Sequence, residues 1–222
     1  MKICKRNVLF FALYLILGLA LSARAQEDGA SLVKTGTDFA QKALRSEDEK
    51  ARQDLFKSAM ACFIKAAKLK YGEGYYKIGW MLFSGHGVEQ NRKKCIEFYK
   101  KAIKAGYIDA CYSIGLVCAS DRLGERDIPE AVKWFKLSAE RGNPDAMGFL
   151  GRWYFTGKAG EKSYVKSRFY YGTIVKILGA ENAGGIIEII ARLERVMTTA
   201  QIEEAQKLVE QYTPATTVPS LD

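Results

Sequence analysis

The residues with the clearest catalytic spacing are a serine with a lysine and a lysine with a threonine. Ser163 and Lys166 fit the pattern S-x-x-K, and Lys34-Thr35-Gly36 fits K-T-G. Serine acyl-transfer enzymes use both patterns, but their K-T-G lies on a strand beside the serine and downstream of it. Here K-T-G precedes the serine and borders a predicted helix, and Ser163 stands where another predicted helix begins. We therefore interpret both matches as coincidence and assign no catalytic residue.

The chain has little with which to bind a metal or a phosphate group. His86 is its single histidine, which excludes sites built from several imidazoles, such as those of the common zinc hydrolases. Gly85-His86-Gly87 is not a phosphate loop, because it follows a predicted helix and no third glycine comes at Gln90. We expect no cofactor and no metal, and we expect the His86 side chain to face solvent.

The first 25 residues have the features of a secretory signal. Lys2, Lys5 and Arg6 form a basic start, an apolar run follows from Val8 to Leu21, and Ala23-Arg24-Ala25 matches the small-x-small pattern that signal peptidase recognises. The apolar run is shorter than the roughly 20 residues that span a bilayer. We expect cleavage after Ala25 and a periplasmic or secreted protein without a stable membrane span. An uncleaved N-terminal anchor is the alternative.

Composition and charge narrow the function further. Apolar residues make up 48% of the 222 residues and charged residues 27%, which is typical of a globular chain and not of a disordered or multispanning one. The formal net charge is +9, but the predicted signal holds four basic residues and no acidic one, so about +5 remains. An exported protein of that charge is not expected to bind nucleic acid. The basic residues of the first half form either a solvated helix face or a surface for an anionic envelope.

An internal period of 36 residues organises the rest of the chain. Three glycines, each preceded by an aliphatic residue, recur at this spacing: Gly79, Gly115 and Gly151. Three side chains that can accept hydrogen bonds at a helix start recur in the same way: Asn91, Asp127 and Ser163. A small residue stands four positions after each of these helix-start residues: Cys95, Ala131 and Ser167. A fixed period of this length predicts a protein built from stacked structural repeats.

Each repeat is predicted to contain two helices. The first carries an apolar stripe at helical spacing: Gly74, Ile78, Met81 and Leu82. Gly79 costs this helix about 1 kcal/mol relative to alanine, so its recurrence indicates a close approach of backbones. Gly106 supplies the left-handed residue that ends the second helix. A single hairpin cannot bury both of its apolar stripes, so the hairpins must stack.

The segment from Gly74 to Gly106 reads G-Y-Y-K-I-G-W-M-L-F-S-G-H-G-V-E-Q-N-R-K-K-C-I-E-F-Y-K-K-A-I-K-A-G. It resembles the Sel-one-like repeat (SLR) family, an α-solenoid relative of the tetratricopeptide repeat. The unit from Ala110 departs from the family in its loop, where Asp121 replaces the first glycine, and the unit from Ala146 keeps L-G-R-W-Y-F-T-G. The resemblance implies a right-handed α-solenoid. With the flanking helix pairs included, we expect an all-α chain of about five helical hairpins, and the signal together with the resemblance indicates an exported bacterial protein.

These patterns divide the chain into five regions. We predict a signal peptide at 1–25, N-terminal capping helices at 26–72, three repeats at 73–182, a C-terminal capping helix pair at 183–212 and a disordered tail at 213–222. The upstream region contains a helix over 31–44 and then Ser46-Glu47-Asp48-Glu49, which is predicted to open a long helix as a capping box. Thr198-Thr199-Ala200-Gln201 is predicted to open the last helix.

Four cysteines follow the signal, in a compartment where disulfides persist. Cysteine-rich members of the family pair thiols eight residues apart, but the position eight residues before Cys111 holds Ile103. Cys111 and Cys118 lie seven residues apart on one helix, about 10 Å along its axis, which is too far for a disulfide. In stacked hairpins the least strained pair is Cys95 with Cys118. Buried thiols without a disulfide are the other interpretation.

A second row on the first helices forms a candidate binding surface. Its large members recur at i, i+4 and i+7: Tyr76, Trp80, Phe83, Tyr112, Leu116, Arg152 and Phe155. In curved solenoids the first helices line the concave side, and aromatic and arginine residues dominate many interfaces. Trp80 and Phe83 fit a groove or gap filling between hairpins equally well, whereas Tyr76, Tyr112 and Arg152 are expected to be exposed.

We therefore predict a non-enzymatic exported scaffold that docks a protein or peptide in this groove, with a cell-wall glycan as another candidate ligand. Two other classes remain open. The first is a cell-wall or β-lactam-binding hydrolase, which the resemblance implies because cysteine-rich relatives are associated with penicillin binding and β-lactamase activity. The second is a membrane-tethered structural protein that retains its first helix.

Overall fold

The computed structural model describes residues 2–217, with side chains from residue 17 onward. Within this range the chain forms ten α-helices, one short 3-10 turn and no strand, so the all-α prediction is confirmed. The helices are α1 (Lys2–Arg45), α2 (Glu49–Lys68), α3 (Gly72–Ser84), α4 (Arg92–Lys104), α5 (Ala110–Ala119), α6 (Ile128–Ala139), α7 (Pro144–Thr156), α8 (Tyr164–Leu178), α9 (Gly184–Glu194) and α10 (Thr199–Gln211). Residues 218–222 of the predicted tail lie outside the described residues.

The helices form two compact units. The N-terminal unit ends at Tyr107 and contains α1 to α4, in which α1 packs on α2, α2 on α3 and α3 on α4. The C-terminal unit begins at Ile108 and contains α5 to α10. In it, α5 pairs with α6 and α7 pairs with α8, while α6 also packs on α7. Pairs of helices that follow one another in the chain are therefore the building block of both units.

The polar residue that recurs before each second helix acts as its N-cap, as predicted. The Asn91 side chain accepts a hydrogen bond from the third N–H of α4 at 2.9 Å. Asp127 does the same for α6 at 2.9 Å, and Ser163 does so for α8 at 3.2 Å. Each bond satisfies one of the N–H groups that a helix start leaves without an internal partner.

Two other predicted helix starts have different outcomes. Thr198 and Gln201 form the predicted capping box at α10, each side chain bonding to the backbone N–H of the other. At α2 the predicted box is wrong, because Asp48 is the N-cap and accepts from Lys50 N at 2.8 Å. The Ser46 hydroxyl instead donates to the carbonyl oxygen of Asp48. A carboxylate placed at the helix start also interacts favourably with the helix dipole, which favours Asp48.

The recurring glycines receive an aromatic ring from the second helix of the same hairpin. A β-carbon at Gly79 would lie 2.7 Å from the ring of Tyr99, and one at Gly115 would lie 2.6 Å from the ring of Phe135. At Gly151 the corresponding distance to Tyr171 is 2.9 Å. The sequence predicted that two helix backbones approach each other closely at these glycines. Instead a ring fills the space that the absent side chain leaves, and this ring recurs every 36 residues.

The N-terminal helix α1 extends beyond the predicted helix at 31–44. Three of its leucines before Gln26 are largely exposed, namely Leu17, Leu19 and Leu21 at 58%, 64% and 62%. Among the residues whose side chains are described, Gly29 is the first that is buried, and Val33, Ala40 and Ala43 then pack into the N-terminal unit. No helix in the described part of the chain has a stretch long and apolar enough to cross a membrane.

The last two helices do not form the predicted pair, and the described part of the tail is not disordered. Both α9 and α10 pack against α8 and make little contact with each other within the described residues. After α10, the Tyr212 hydroxyl donates to the Ala139 carbonyl oxygen at 2.7 Å, and the Ala215 N–H donates to that of Glu140 at 2.7 Å. These acceptors lie at the end of α6, where carbonyl groups lack partners within the helix. Residues 213–217, which were expected to be disordered, are held there.

Candidate binding surfaces

The N-terminal unit contains a cavity between α1 and α3 that we call the N-terminal groove. Its volume is about 230 Å³. Residues of α1, α2 and α3 line it: Thr37, Ala40, Gln41, Leu44, Phe63, Tyr76, Lys77 and Trp80. Two residues of the predicted binding row, Tyr76 and Trp80, therefore lie together in its wall. The α1 residues were not predicted, because the sequence does not show which face of α1 meets α3.

Packing behind the groove holds Tyr76 in place. The ring of Tyr76 lies 4.8 Å from that of Tyr107 and 5.4 Å from that of Tyr99, measured between ring centres. Tyr76 is half-buried as a result, which corrects the expectation that it is exposed. Lys77 beside it forms an ion pair with Glu73 at 3.6 Å. A ring whose position is already fixed by packing loses little conformational entropy when a ligand contacts it.

Trp80 is supported by a histidine that we expected to face solvent. The His86 ring stacks on Phe56, with 4.8 Å between ring centres and an angle of 5° between the planes. The centre of the same ring lies 5.2 Å from that of Trp80. The solvent-facing prediction for His86 is therefore wrong, because the loop folds back over α2. Gly87 has φ +68° and passes so close to Phe56 that a β-carbon there would lie 2.5 Å from it.

Three further members of the predicted row line neither this groove nor the cavity that α7, α8 and α9 form in the C-terminal unit. Phe83 is half-buried at the end of α3, where its carbonyl oxygen accepts a hydrogen bond from Gln90 at 2.9 Å. Leu116 is half-buried on α5. Tyr112 is also half-buried and not exposed as predicted, with its ring 5.8 Å from that of Phe135 and 6.2 Å from that of Phe149. Aromatic packing between helices accounts for the position of Tyr112.

The C-terminal unit contains a second cavity, between α7, α8 and α9, that we call the C-terminal pocket. Its volume is also about 230 Å³. Its wall is largely apolar and consists of Arg152, Phe155, Ser167, Tyr171, Ile189, Arg192, Leu193 and Val196. Arg152 and Phe155 were predicted for the binding row. Both are exposed, as expected for Arg152, and Phe155 exposes 43% of its surface.

Sequence reasoning missed the half of this pocket that α8 and α9 provide. Ser167 was recognised only as a small residue in phase with Cys95 and Ala131. The apolar residues of α9 were assigned to a capping helix. Their spacing at i, i+4 and i+7 indicates an amphipathic helix but not the neighbour that it packs against. Only the position of α9 against α8 places them opposite Arg152 and Phe155.

The catalytic motif matches have structural roles. Ser163 caps α8 by accepting a hydrogen bond from the backbone N–H of Lys166, while the Lys166 ammonium lies 5.2 Å from the ring centre of Tyr154. Lys34-Thr35-Gly36 lies inside α1 and not on a strand. Within it, the Thr35 hydroxyl donates to the Ser31 carbonyl oxygen at 3.0 Å. Among the described residues, no three metal-ligating side chains form a group.

The cysteines form no disulfide within the described residues. Cys62 is half-buried, whereas Cys95, Cys111 and Cys118 are buried. Burial raises the pKa of the Cys111 thiol from 9.0 to about 11, which keeps it protonated at neutral pH. A protonated thiol is a poor nucleophile and a poor metal ligand. Cys111 therefore acts in packing.

Comparison with known proteins agrees with this architecture. The family model described as Sel1 repeat matches four segments, at residues 49–71, 72–107, 108–143 and 144–172, which together make up more than half of the chain. This chain belongs to the Sel1 repeat family. Three of the matched segments correspond to the predicted repeats. The fourth, at 49–71, contains α2 and lies in the region predicted to hold capping helices.

A solved structure of a Sel1 repeat protein has the same fold. The crystal structure of a Sel1 repeat protein from Oxalobacter formigenes is similar with a TM-score of 0.59 and 18% identity, over 86% of this chain and 73% of that one. A protective antigen present in uropathogenic Escherichia coli strains, displaying an SLR fold, has a TM-score of 0.45 and 20% identity over 83% of this chain and 45% of its own. No curated protein matches the chain.

Membership of this family indicates a general kind of function. Sel1 repeat proteins mostly mediate protein–protein interactions, and their fold is a scaffold that is generally non-enzymatic. This agrees with the arrangement of both cavities, which offer aromatic, aliphatic and cationic side chains. Protein partners are thus the class that the family suggests.

Proposed function

We propose that this Sel1 repeat protein is an exported, non-enzymatic adaptor that docks protein or peptide segments, in the bacterial envelope or at a host interface. The observation that carries the proposal is the position of the predicted binding row. Four of its seven members line open cavities: Tyr76 and Trp80 in the N-terminal groove, Arg152 and Phe155 in the C-terminal pocket. Tryptophan, tyrosine and arginine are the residues that most often dominate binding free energy at interfaces.

The size of the two cavities favours peptide segments as ligands. Each has a volume of about 230 Å³. Sites for cofactors and drug-sized ligands usually measure roughly 300–1,000 Å³. A cavity of the smaller size accepts one or two side chains of a larger partner, whose remaining surface contacts the helices around it. This supports docking of a protein and not uptake of a separate small molecule.

The packing of α1 supports export with removal of the signal. Leu17, Leu19 and Leu21 contribute almost nothing to the core, and the first buried residue with a described side chain is Gly29. Cleavage after Ala25 therefore leaves in place every residue of α1 that is buried in the part from residue 17 onward. Cleavage also removes no lining residue of the N-terminal groove, because the first of them is Thr37. The mature protein would begin at Gln26 in the periplasm or outside the cell.

Partner capture with matched variants tests the adaptor role. The full chain with a C-terminal affinity tag would be expressed and recovered from envelope and medium fractions, and the N-terminal residue of the recovered protein would be determined. Trp80→Ala removes one of the three aromatic side chains that line the N-terminal groove, the others being Phe63 and Tyr76. Phe98→Ala is the control, because Phe98 is also half-buried but lies on α4 outside both cavities.

We expect one or more proteins to bind the wild type and the Phe98→Ala variant, with at least tenfold weaker binding to Trp80→Ala. Each candidate would be purified and its dissociation constant measured by calorimetry. Equal affinity of both variants would contradict docking in the N-terminal groove. An N-terminus at Met1 would contradict signal removal and would favour a tethered protein.

A further inference from the structure

The C-terminal pocket combines three features that the fold itself does not require. Its wall is largely apolar, two arginines stand in that wall, and a serine with an unused hydroxyl forms part of it. A cavity made only for packing would be filled or purely apolar. The combination matches a ligand that carries an aliphatic group next to a negative charge.

The Ser167 hydroxyl is the least expected of these features. Ser167 is completely buried, and its oxygen has no hydrogen bond partner within the described residues. Cys95 and Ala131 occupy the same position in the two preceding repeats and are also completely buried. Packing at this position therefore requires a small residue but not a hydroxyl. A buried hydroxyl without a partner is unfavourable, so an acceptor that reaches it when the pocket wall shifts gains a hydrogen bond that the fold does not supply.

The two arginines give the pocket a positive charge that acidic neighbours do not neutralise. Among the described residues, no carboxylate lies within 4 Å of the Arg152 guanidinium, which lies 5.1 Å from the ring centre of Phe149. Arg192 has an ion pair with Glu188, but at 3.8 Å and with both side chains about three-quarters exposed. An exposed pair of this kind contributes little and is easily replaced. Both guanidinium groups are available to an anion.

The Arg152 charge acts on the pocket wall itself. Burial raises the pKa of the Tyr171 hydroxyl above its usual value, and the Arg152 charge partly opposes that rise. Tyr171 is the residue whose ring covers Gly151, so its position is determined by the repeat. The positive charge of Arg152 is therefore felt at an inner residue of the wall and not only in solvent.

The small volume decides how far apart the two parts of the ligand lie. The apolar residues and both arginines line a single cavity of about 230 Å³. An aliphatic group and a carboxylate that both contact this wall must lie within a few ångströms of each other. The last residue of a protein chain satisfies this condition, because its side chain and its free carboxylate share one α-carbon. A guanidinium binds such a carboxylate with two parallel hydrogen bonds.

We propose that the C-terminal pocket binds the C-terminal residue of a partner protein when that residue is leucine or isoleucine. Its side chain enters the wall formed by Phe155, Leu193 and Val196, and its carboxylate accepts hydrogen bonds from Arg152 and Arg192. The Ser167 hydroxyl gains the acceptor that the fold does not provide. This inference rests on the proposed function, since it takes the ligand to be a protein, and it adds which part of the partner the pocket recognises.

Peptide binding to the full chain tests the inference directly. The probe is Gly-Ser-Gly-Ser-Gly-Leu with a fluorophore at its N-terminus, and binding is followed by fluorescence anisotropy. We expect the peptide with a free carboxylate to bind at least tenfold more tightly than the same peptide with an amidated C-terminus, which lacks the charge. A peptide ending in lysine is expected to bind at least as weakly as the amide. Equal binding of the free and amidated peptides would overturn the proposal.

Substitutions of pocket residues test whether the peptide binds in the C-terminal pocket. Arg152→Gln and Arg192→Gln are each expected to weaken the leucine peptide by about tenfold. Arg195→Gln is the matched control, because Arg195 is exposed at the end of α9, carries the same charge and does not line the pocket. Ser167→Ala is expected to fold, since alanine occupies the same position at Ala131, and to bind more weakly. An equal loss in Arg195→Gln and Arg152→Gln would indicate attraction by net charge alone and would overturn the site.

Two further outcomes separate this inference from the proposed function. If 4-methylpentanoate displaces the peptide at equal concentration, the pocket is a site for a free short-chain acid, and recognition of a protein terminus is wrong. If partners bind the N-terminal groove in a Trp80-dependent way but no peptide shows a carboxylate preference, the adaptor role stands and the pocket proposal fails. Binding of the leucine peptide without any envelope partner would support the pocket and contradict the adaptor role.

Discussion

Ser163 shows how one side chain can match a catalytic pattern and yet have a structural role. Its hydroxyl accepts a hydrogen bond from the backbone N–H of Lys166, the same bond that Asn91 and Asp127 make at the starts of their helices. A hydroxyl engaged in this way at a helix start has its position determined by the backbone. The 36-residue spacing alone predicted this role, because three acceptors in phase require a common cause.

Replacement of Ser163 by alanine is expected to lower the free energy of unfolding by about 0.5–2 kcal/mol, because one N–H at the start of α8 loses its acceptor. Asp127→Ala, at the equivalent cap of α6, is expected to show a loss of similar size. Urea unfolding of both variants measures this. Neither variant is expected to hydrolyse nitrocefin, and neither is the wild type. Wild-type turnover that disappears only in Ser163→Ala would assign the protein to the hydrolase class.

His86 is the residue for which sequence reasoning failed most clearly. A lone histidine between two glycines in a loop gives no sign of its packing, since both glycines allow many loop conformations. The ring is placed by Phe56, thirty positions earlier on α2, and by Trp80. Contacts at that separation are a tertiary property. The same applies to Tyr76 and Tyr112, whose rings pack against aromatic residues that the periodic pattern does not link to them.

At the scale of elements, the hairpin is held by a ring on a glycine. Gly115 on α5 lies against Phe135 on α6, as Gly79 on α3 lies against Tyr99 on α4. The glycine lowers the intrinsic helix propensity, and the packed ring compensates for it. The spacing of the glycines indicated close approach, but the group that approaches was identified only from the positions of both helices.

Gly115→Ala is expected to destabilise the protein by about 1–3 kcal/mol, because the added methyl group would lie 2.6 Å from the Phe135 ring and must displace it. Gly148→Ala is the control, since Gly148 is also in a helix but nothing lies within 4 Å of its β-carbon position. There alanine is expected to stabilise the helix by up to about 1 kcal/mol. Chemical denaturation of both variants compares them. Destabilisation of equal size at both positions would contradict the ring-on-glycine account.

The helices after the last matched repeat behave differently from the hairpins before them. Both α9 and α10 pack on α8, and the following segment bonds to the end of α6. Lys176 on α8 adds to this closure, because its ammonium donates to the carbonyl oxygens of Val209, Glu210 and Tyr212 at 2.9 Å each. A cation at these carbonyl groups also interacts favourably with the α10 dipole. These helices therefore cover the last repeat, and α9 forms one wall of the C-terminal pocket.

At the scale of the whole molecule, the C-terminal unit buries several groups whose ionisation is costly. Burial raises the pKa of the Cys111 thiol from 9.0 to about 11, and it raises the pKa of Tyr170, Tyr171 and Tyr212 above 10.0. In each case the unfolded chain loses the proton at a lower pH than the folded chain. The stability that this provides is fully present below the unfolded pKa and is lost as the pH rises through the folded one.

We therefore expect unfolding to become easier between pH 9 and pH 11. The Cys111 thiol alone accounts for roughly 2–3 kcal/mol of this loss, since one pKa unit corresponds to about 1.4 kcal/mol. Urea unfolding under reducing conditions at pH 8, 9, 10 and 11 measures the effect. The Cys111→Ala variant is expected to be less stable at pH 8 but to lose less stability towards pH 11. The same pH dependence in both proteins would contradict the assigned cause.

The sequence by itself determined the helical class, the 36-residue hairpin, its caps and its glycines, because these depend on residues close together in the chain. It also identified Tyr76, Trp80, Arg152 and Phe155 as members of one face, since a helix repeats every 3.6 residues. Only the tertiary structure decided which of these residues line cavities. The opposite walls come from α1 in one unit and from α8 and α9 in the other, and their placement depends on packing between helices that no local pattern specifies.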